Sequence, residues 1–145
     1  MVETYEILGG YSVELQAGFL LRRAHQRHTA LFQDIMAPLD LTPTQFTALV
    51  KVVELGRVTQ NHLGRLAAMD PATVQGVVRR LVDRSLLMRA PDPADRRSTV
   101  LSPTEGGVAL VRRAVPLARE ITEATLAPLN ADERDAFLNL LRRIG

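Results

Sequence analysis

The strongest constraint in this sequence is the punctuation between Gln60 and Leu101. Asp70-Pro71 places a helix-capping side chain before a proline suited to the first helical position. Apolar residues recur at helical spacing on both sides of it, Leu63, Leu66 and Ala67 before and Val74, Val77, Val78 and Leu81 after. Downstream, Pro91-Asp92-Pro93-Ala94-Asp95-Arg96-Arg97 is too rich in proline to be helical. It separates two short extended stretches, Leu86 to Ala90 and Ser98 to Leu101. Helices of about twelve residues are marginal alone, so these pieces must pack together. Two short helices joined by a tight turn at Met69-Asp70 and followed by a hairpin predict a helix-turn-helix with a two-stranded wing.

Similar signals divide the rest of the chain. Thr42-Pro43-Thr44-Gln45 and Ser102-Pro103-Thr104-Glu105 both read as a cap, a proline and a capping-box partner. Asn130-Ala131-Asp132-Glu133 is a cap with an acidic first turn, and Ser12 and Thr59 are weaker starts. The expected helices run from Ser12 to Met36, Pro43 to Leu55, Gln60 to Ala68, Pro71 to Arg84, Pro103 into the 120s with a kink at Pro116, and Ala131 to Arg143. The fold expected is mainly α (α+β), one domain over residues 1–145. Its winged helix-turn-helix lobe spans 42–102, and helices in 12–37 and 103–145 serve dimerisation. Leu110, Val111, Ala114, Val115, Ala118 and Ile121 in the fifth helix, with Phe137, Leu138, Leu140 and Leu141 in the sixth, give more apolar surface than a small lobe covers. A two-fold homodimer is the expected outlet.

Charge sharpens the reading. The whole chain carries +2, but Arg57 to Arg97 holds eight arginines against four acids, while the remainder holds ten basic and twelve acidic residues. A basic middle suits a polyanion. With no cysteine there is no disulfide, thiol sensor or Cys-ligated metal. No apolar run approaches the roughly 20 residues of a membrane span, and Met1 to Gly10 lacks the pattern of a secretory signal, so no membrane partner and a cytoplasmic location are expected. No phosphate loop, nucleophile elbow, zinc-hydrolase helix or flanked carboxylate pair occurs, so an enzyme, a catalytic residue or a cofactor is not expected.

Three stretches resemble the MarR family of transcription regulators across about Ser12 to Arg143. They are Leu41-Thr42-Pro43-Thr44-Gln45-Phe46, Asp70-Pro71-Ala72-Thr73-Val74-Gln75-Gly76-Val77-Val78-Arg79-Arg80-Leu81, and Asp92-Pro93-Ala94-Asp95-Arg96-Arg97 followed by Leu101-Ser102-Pro103-Thr104-Glu105-Gly106. The second is similar to the family's recognition helix. That resemblance implies double-stranded DNA as the partner, an inverted-repeat operator and a repressor's role. The small residues Pro71, Ala72 and Thr73 would permit close approach to the major groove. Gln75 suits an adenine edge, and Arg79 or Arg80 suits guanine or phosphate. Gly76 costs about 1 kcal/mol relative to Ala in mid-helix, which close approach to DNA would explain and simple tolerance would too. The resemblance further implies that Arg96 at the wing tip enters the minor groove while Asp95 and Arg97 brace the hairpin. Taken in isolation, the same residues would also suit a solvated helix face and a charged turn.

Many members of the family release DNA when a small molecule, often an aromatic acid, binds beside the first helix. His28 falls in the middle of that helix's apolar stripe, with His25 on its edge and Arg22 beside it. Arg22, His25 and His28 could hold a carboxylate against a hydrocarbon wall, with protonation of a histidine strengthening the contact as pH falls. His28 would equally serve as a satisfied core histidine. The i, i+3 histidines lack a third ligand nearby, so no metal site is expected. The alternative function is a helical protein-interaction module without ligand sensing or specific DNA binding. A weak salt dependence of DNA binding would mark it.

Overall fold

The caps place most of the element boundaries. The computed structural model describes residues 7–145, so most of the Met1 to Gly10 stretch lies outside the described residues. A 3-10 turn, Val13–Leu15, precedes α1 (Ala17–Met36), and a second, Ala37–Leu39, follows it. Then come α2 (Pro43–Leu55), β1 (Val58–Thr59), α3 (Gln60–Leu66), α4 (Pro71–Asp83), β2 (Leu87–Pro91), β3 (Thr99–Pro103), α5 (Glu105–Leu126) and α6 (Ala131–Ile144). Both halves of the capping box form at α2. The Thr42 hydroxyl accepts from Gln45 N, and the Thr42 backbone N–H donates to the Gln45 side chain, each at 3.2 Å. Asn130 and Glu133 do the same at α6.

The two strands of the wing, β2 and β3, pair antiparallel from Leu87 opposite Pro103 to Pro91 opposite Thr99, and a third strand joins their sheet. β1 pairs antiparallel with β3, Val58 opposite Leu101 and Thr59 opposite Val100, giving the order β1-β3-β2. A two-residue strand carries no alternation to detect, which is why the sequence pattern passes over it.

The start of α5 also differs from expectation. Ser102 sits in the sheet opposite Met88 and cannot cap, and β3 continues to Pro103. Thr104 is the cap instead. Its N–H donates to the Leu86 carbonyl at 3.1 Å, its hydroxyl donates to the Ser85 carbonyl at 2.6 Å, and it accepts from Gly107 N at 2.9 Å. Gly107 is required there, since a Cβ would lie 2.1 Å from the Leu86 carbonyl oxygen. At the other end of the chain, Ser12 starts a 3-10 turn rather than α1, its hydroxyl donating to Glu14 at 2.7 Å, and the extended backbone of Gln16 separates that turn from the helix.

One core joins the lobe to the long helices. Phe32 and Met36 of α1, Leu49 and Val52 of α2, Leu63 of α3, Val78 and Leu81 of α4, and Leu87 and Leu101 of the sheet pack with Leu110, Val111, Ala114 and Ile121 of α5. The apolar face of α5 is therefore covered within the chain, because α5 lies along α1 and α2. Val111, expected at a dimer surface, belongs to this core, and Val115, expected there too, is half-buried against it. α6 has no buried residue, and Phe137, Leu140 and Ile144 stay exposed together with Leu20 and Leu21 of α1. α5 runs on as a single helix through Pro116.

Candidate nucleic-acid interface and cavity

α4 divides cleanly into two faces. Val74, Val77, Val78 and Leu81 are buried, while Pro71, Ala72, Thr73, Gln75, Arg79 and Arg80 are exposed and Gly76 is half-exposed. Asp70 caps the helix by accepting from Thr73 N at 2.8 Å and from the Thr73 hydroxyl at 2.7 Å. These bonds from Thr73 hold the Asp70 carboxyl below the usual carboxylate range. A Cβ on Gly76 would meet no atom of the described residues within 4 Å, so none of them demands glycine there.

The wing loop is braced chiefly by Asp95. Its carboxylate accepts from Arg97 N at 3.0 Å and from the Ser98 hydroxyl at 3.3 Å, and its carbonyl accepts from Ser98 N at 2.9 Å. Asp92 closes the other side, accepting from Ala94 N at 3.0 Å and lying 3.9 Å from the Arg57 guanidinium. Among the described residues the Arg96 and Arg97 guanidinium groups make no hydrogen bond or ion pair within the chain. Arg97 contributes to the bracing through its backbone, and its side chain does not.

Not every arginine of the basic middle is available to a polyanion. Arg84, at the end of α4, donates to the Leu39 carbonyl at 3.1 Å and also to that of Asp40. This bond ties the recognition-like helix to the turn that ends α1.

A cavity of about 320 Å³ opens between α1, α5 and α6. Leu21, Ala24, Leu126, Phe137, Leu138 and Leu141 form its apolar wall, and His25, His28, Thr122 and Thr125 are its polar lining. The cavity thus gathers two of the three residues singled out on α1. Arg22 is exposed and does not line it. His28 is half-buried. Burial, with His25 as a second contribution, pushes its pKa below the ordinary imidazole value. Its Nδ1 lies 2.9 Å from the Thr125 hydroxyl, which donates to the Ile121 carbonyl at 2.8 Å. Arg27 grips the same turn of α5, donating to the Thr125 and Ala124 carbonyls at 2.7 and 2.9 Å.

The sequence pattern does not single out Thr125 or Arg27. A threonine four residues after Ile121 on an otherwise apolar face was the available signal for the first. Among the described residues no group of three or more His, Asp or Glu side chains could hold a metal. Among the same residues no helix is long and apolar enough to cross a membrane.

The MarR family model matches residues 41–99, the segment that holds α2 through the start of β3. The HTH-type transcriptional repressor NicR of Pseudomonas putida is 44% identical over 134 residues, covering 92% of this chain and 85% of its own. Two solved structures superpose closely. BpsR of Bordetella bronchiseptica, whose DNA binding is regulated by 6-hydroxynicotinic acid, has a TM-score of 0.89 at 42% identity, covering 92% of this chain and 96% of its own. The PcaV transcriptional regulator of Streptomyces coelicolor in complex with its natural ligand has a TM-score of 0.88 at 31% identity, covering 93% and 95%. With an outward α4 face, a braced arginine wing and these relatives, the chain belongs to the MarR family of DNA-binding transcription regulators.

Proposed function

We propose that this chain is a cytoplasmic, homodimeric repressor that binds an inverted-repeat operator and releases it when a small aromatic carboxylate occupies the cavity between α1, α5 and α6. Residues 42–102 act as the DNA-binding lobe, while 12–37 and 103–145 carry dimerisation. Pro71, Ala72, Thr73, Gln75, Gly76, Arg79 and Arg80 face the major groove. The wing, held by Asp95, presents Arg96 and Arg97 to the minor groove and backbone. The observation that carries the DNA reading is the exposed α4 face, where among the described residues the Gln75, Arg79 and Arg80 side chains make no hydrogen bond or ion pair within the chain, opposite a buried face of Val74, Val77, Val78 and Leu81.

The effector reading rests on the cavity's chemistry. Its wall is apolar enough for a ring, and its few polar groups lie on α1 and α5. The positive charge for an acid group would come from Arg22, one helical turn before His25 on α1 and outside the cavity lining. Release requires that the ligand favour the conformation whose recognition helices miss successive grooves. A preference of about 100-fold supplies roughly 2.7 kcal/mol, enough to empty a moderately occupied operator.

Selection of operators from a random DNA pool by the purified protein tests the first half. The expected result is a dyad with half-sites about one turn, about 34 Å, apart. Selected sites without a dyad, or binding with no salt slope, would favour the protein-interaction alternative. A panel of aromatic acids read by thermal stabilisation and DNA release tests the second half.

A further inference from the structure

Thr125 has one hydroxyl proton, and that proton goes to the Ile121 carbonyl at 2.8 Å. The Ile121 carbonyl can only accept, so with both contacts made as hydrogen bonds the hydroxyl oxygen offers His28, 2.9 Å away, only lone pairs, and Nδ1 carries the proton between them. Arg27 holds the backbone of the same turn through the Ala124 and Thr125 carbonyls, which keeps the hydroxyl in place. A neutral imidazole has a single N–H, so with Nδ1 protonated its Nε2 is a bare acceptor.

We propose that Nε2 of His28 accepts a hydrogen bond from a ring hydroxyl or ring N–H of the effector, making His28 the residue that selects donor-bearing aromatic acids over their unsubstituted or ether-substituted analogues. The proposal rests on the effector reading above and adds which part of the ligand this histidine recognises. The carboxylate is left to His25 of the lining and to Arg22, one helical turn before it on α1.

The surroundings of His28 support the neutral ring. α1 faces it with His25, a second base. α5 faces it with Thr122, Thr125 and Leu126, and α6 with Phe137, Leu138 and Leu141. Among the described residues no carboxylate lines the cavity to stabilise an imidazolium. Burial disfavours the charged form as well. The geometry therefore reverses the pH trend expected of a protonated histidine gripping a carboxylate. Acid puts a proton on Nε2 and abolishes its acceptor role.

Calorimetric titration of the intact protein with benzoate, 3- and 4-hydroxybenzoate and the matching methoxybenzoates tests this. The better hydroxy acid should bind about 10-fold or more tightly than benzoate and its methoxy partner, since an acceptor left unpaired is costly. That preference should shrink as pH falls from about 8 to about 5.5. His28→Phe should erase the preference, so that the hydroxy acid binds no more tightly than benzoate or its methoxy partner. His28→Gln, whose amide oxygen still accepts, should restore part of it. Thr125→Val, which frees the tautomer, should weaken it.

Equal binding of hydroxy and methoxy acids overturns the proposal. So does a preference that survives His28→Phe, or one that grows as pH falls. Acids that bind and release DNA without a hydroxyl preference would overturn the role of His28 alone. If no acid binds a protein that still binds its operator, the effector reading falls too.

Discussion

The Asp70 carboxylate holds both the backbone N–H and the hydroxyl of Thr73, at 2.8 and 2.7 Å, so one cap fixes both the helix start and the side chain beside it. The hydroxyl's proton is committed to Asp70. Thr73 therefore meets the groove as an acceptor, which suits the amino groups of adenine or cytosine and not the acceptor edge of guanine.

That assignment is testable by exchanging the cap. Asp70→Ala releases the hydroxyl to donate, and Thr73→Val removes it. Operators selected by either variant should lose the wild-type preference at one base pair of each half-site. Identical selections from all three proteins would show that Thr73 touches no base.

Gly76 offers a second separation of stability from function. Its missing side chain leaves open space, so Gly76→Ala should stabilise the protein by about 1 kcal/mol in denaturant unfolding. If the backbone approaches DNA closely at this point, the same methyl should weaken operator binding by about 10-fold or more. A stabilised protein with unchanged DNA affinity would make Gly76 a tolerated glycine and nothing more.

The wing should behave differently from α4. Arg96→Ala should weaken binding to all operators by a similar factor and lower the salt slope by about one. Asp95→Ala should act further, because it removes the acceptor for Arg97 N and the Ser98 hydroxyl and loosens the whole loop. Hydrogen exchange at residues 92–98 distinguishes the two, rising in Asp95→Ala and staying unchanged in Arg96→Ala.

Much of this architecture is legible because side chains announce it. Thr42, Asp70 and Asn130 cap the helices they were expected to cap, and the buried face of α4 carries the four residues its spacing implies. What the pattern misses is set by tertiary context. Ala68 and Ser85 end α3 and α4 with positive φ, at 53° and 57°, where glycine would have signalled the stop. α3 closes on a Met69 N–H to Gly64 carbonyl bond, which leaves Leu66 exposed rather than in the core. Ser102 and Thr104 are equally good caps by type, and only pairing with β2 decides between them. In the cavity, the helical stripe exposed His28, but Thr125 is 97 residues away along the chain and becomes its partner only when α5 folds back on α1.

His28 also makes stability depend on pH. Its pKa in the folded protein is lowered, so the unfolded chain binds more protons between that value and the ordinary one near 6.5. Stability is complete above that window and falls as pH drops through it. Denaturant unfolding at a series of pH values should show this fall. In His28→Phe that part of the slope should disappear, and an unchanged slope would place its origin in other groups.

The uncovered apolar surface gives the last prediction. Leu20, Leu21 and Ala24 of α1 face Phe137, Leu140, Leu141 and Ile144 of α6 across a groove of about 610 Å³. Leu140 is 55% exposed and Ile144 73%, and no element among the described residues lies over them. Contiguous apolar surface of this kind marks an interface, and in a two-fold dimer each copy presents the same groove to the other. The groove shares Leu21, Ala24, Phe137 and Leu141 with the cavity beside His28, so packing at one bears on the shape of the other. Leu20→Glu combined with Leu140→Glu should convert a dimer into a monomer at about micromolar concentration in sedimentation. Neither side chain belongs to the core, so helix content should be retained. Affinity for the full inverted repeat should then drop by about 100-fold or more, because the second half-site no longer benefits from a tethered copy. A variant that stays dimeric would move the interface off this groove. A folded monomer that holds the full operator as tightly as wild type would show that the two copies do not bind as a unit.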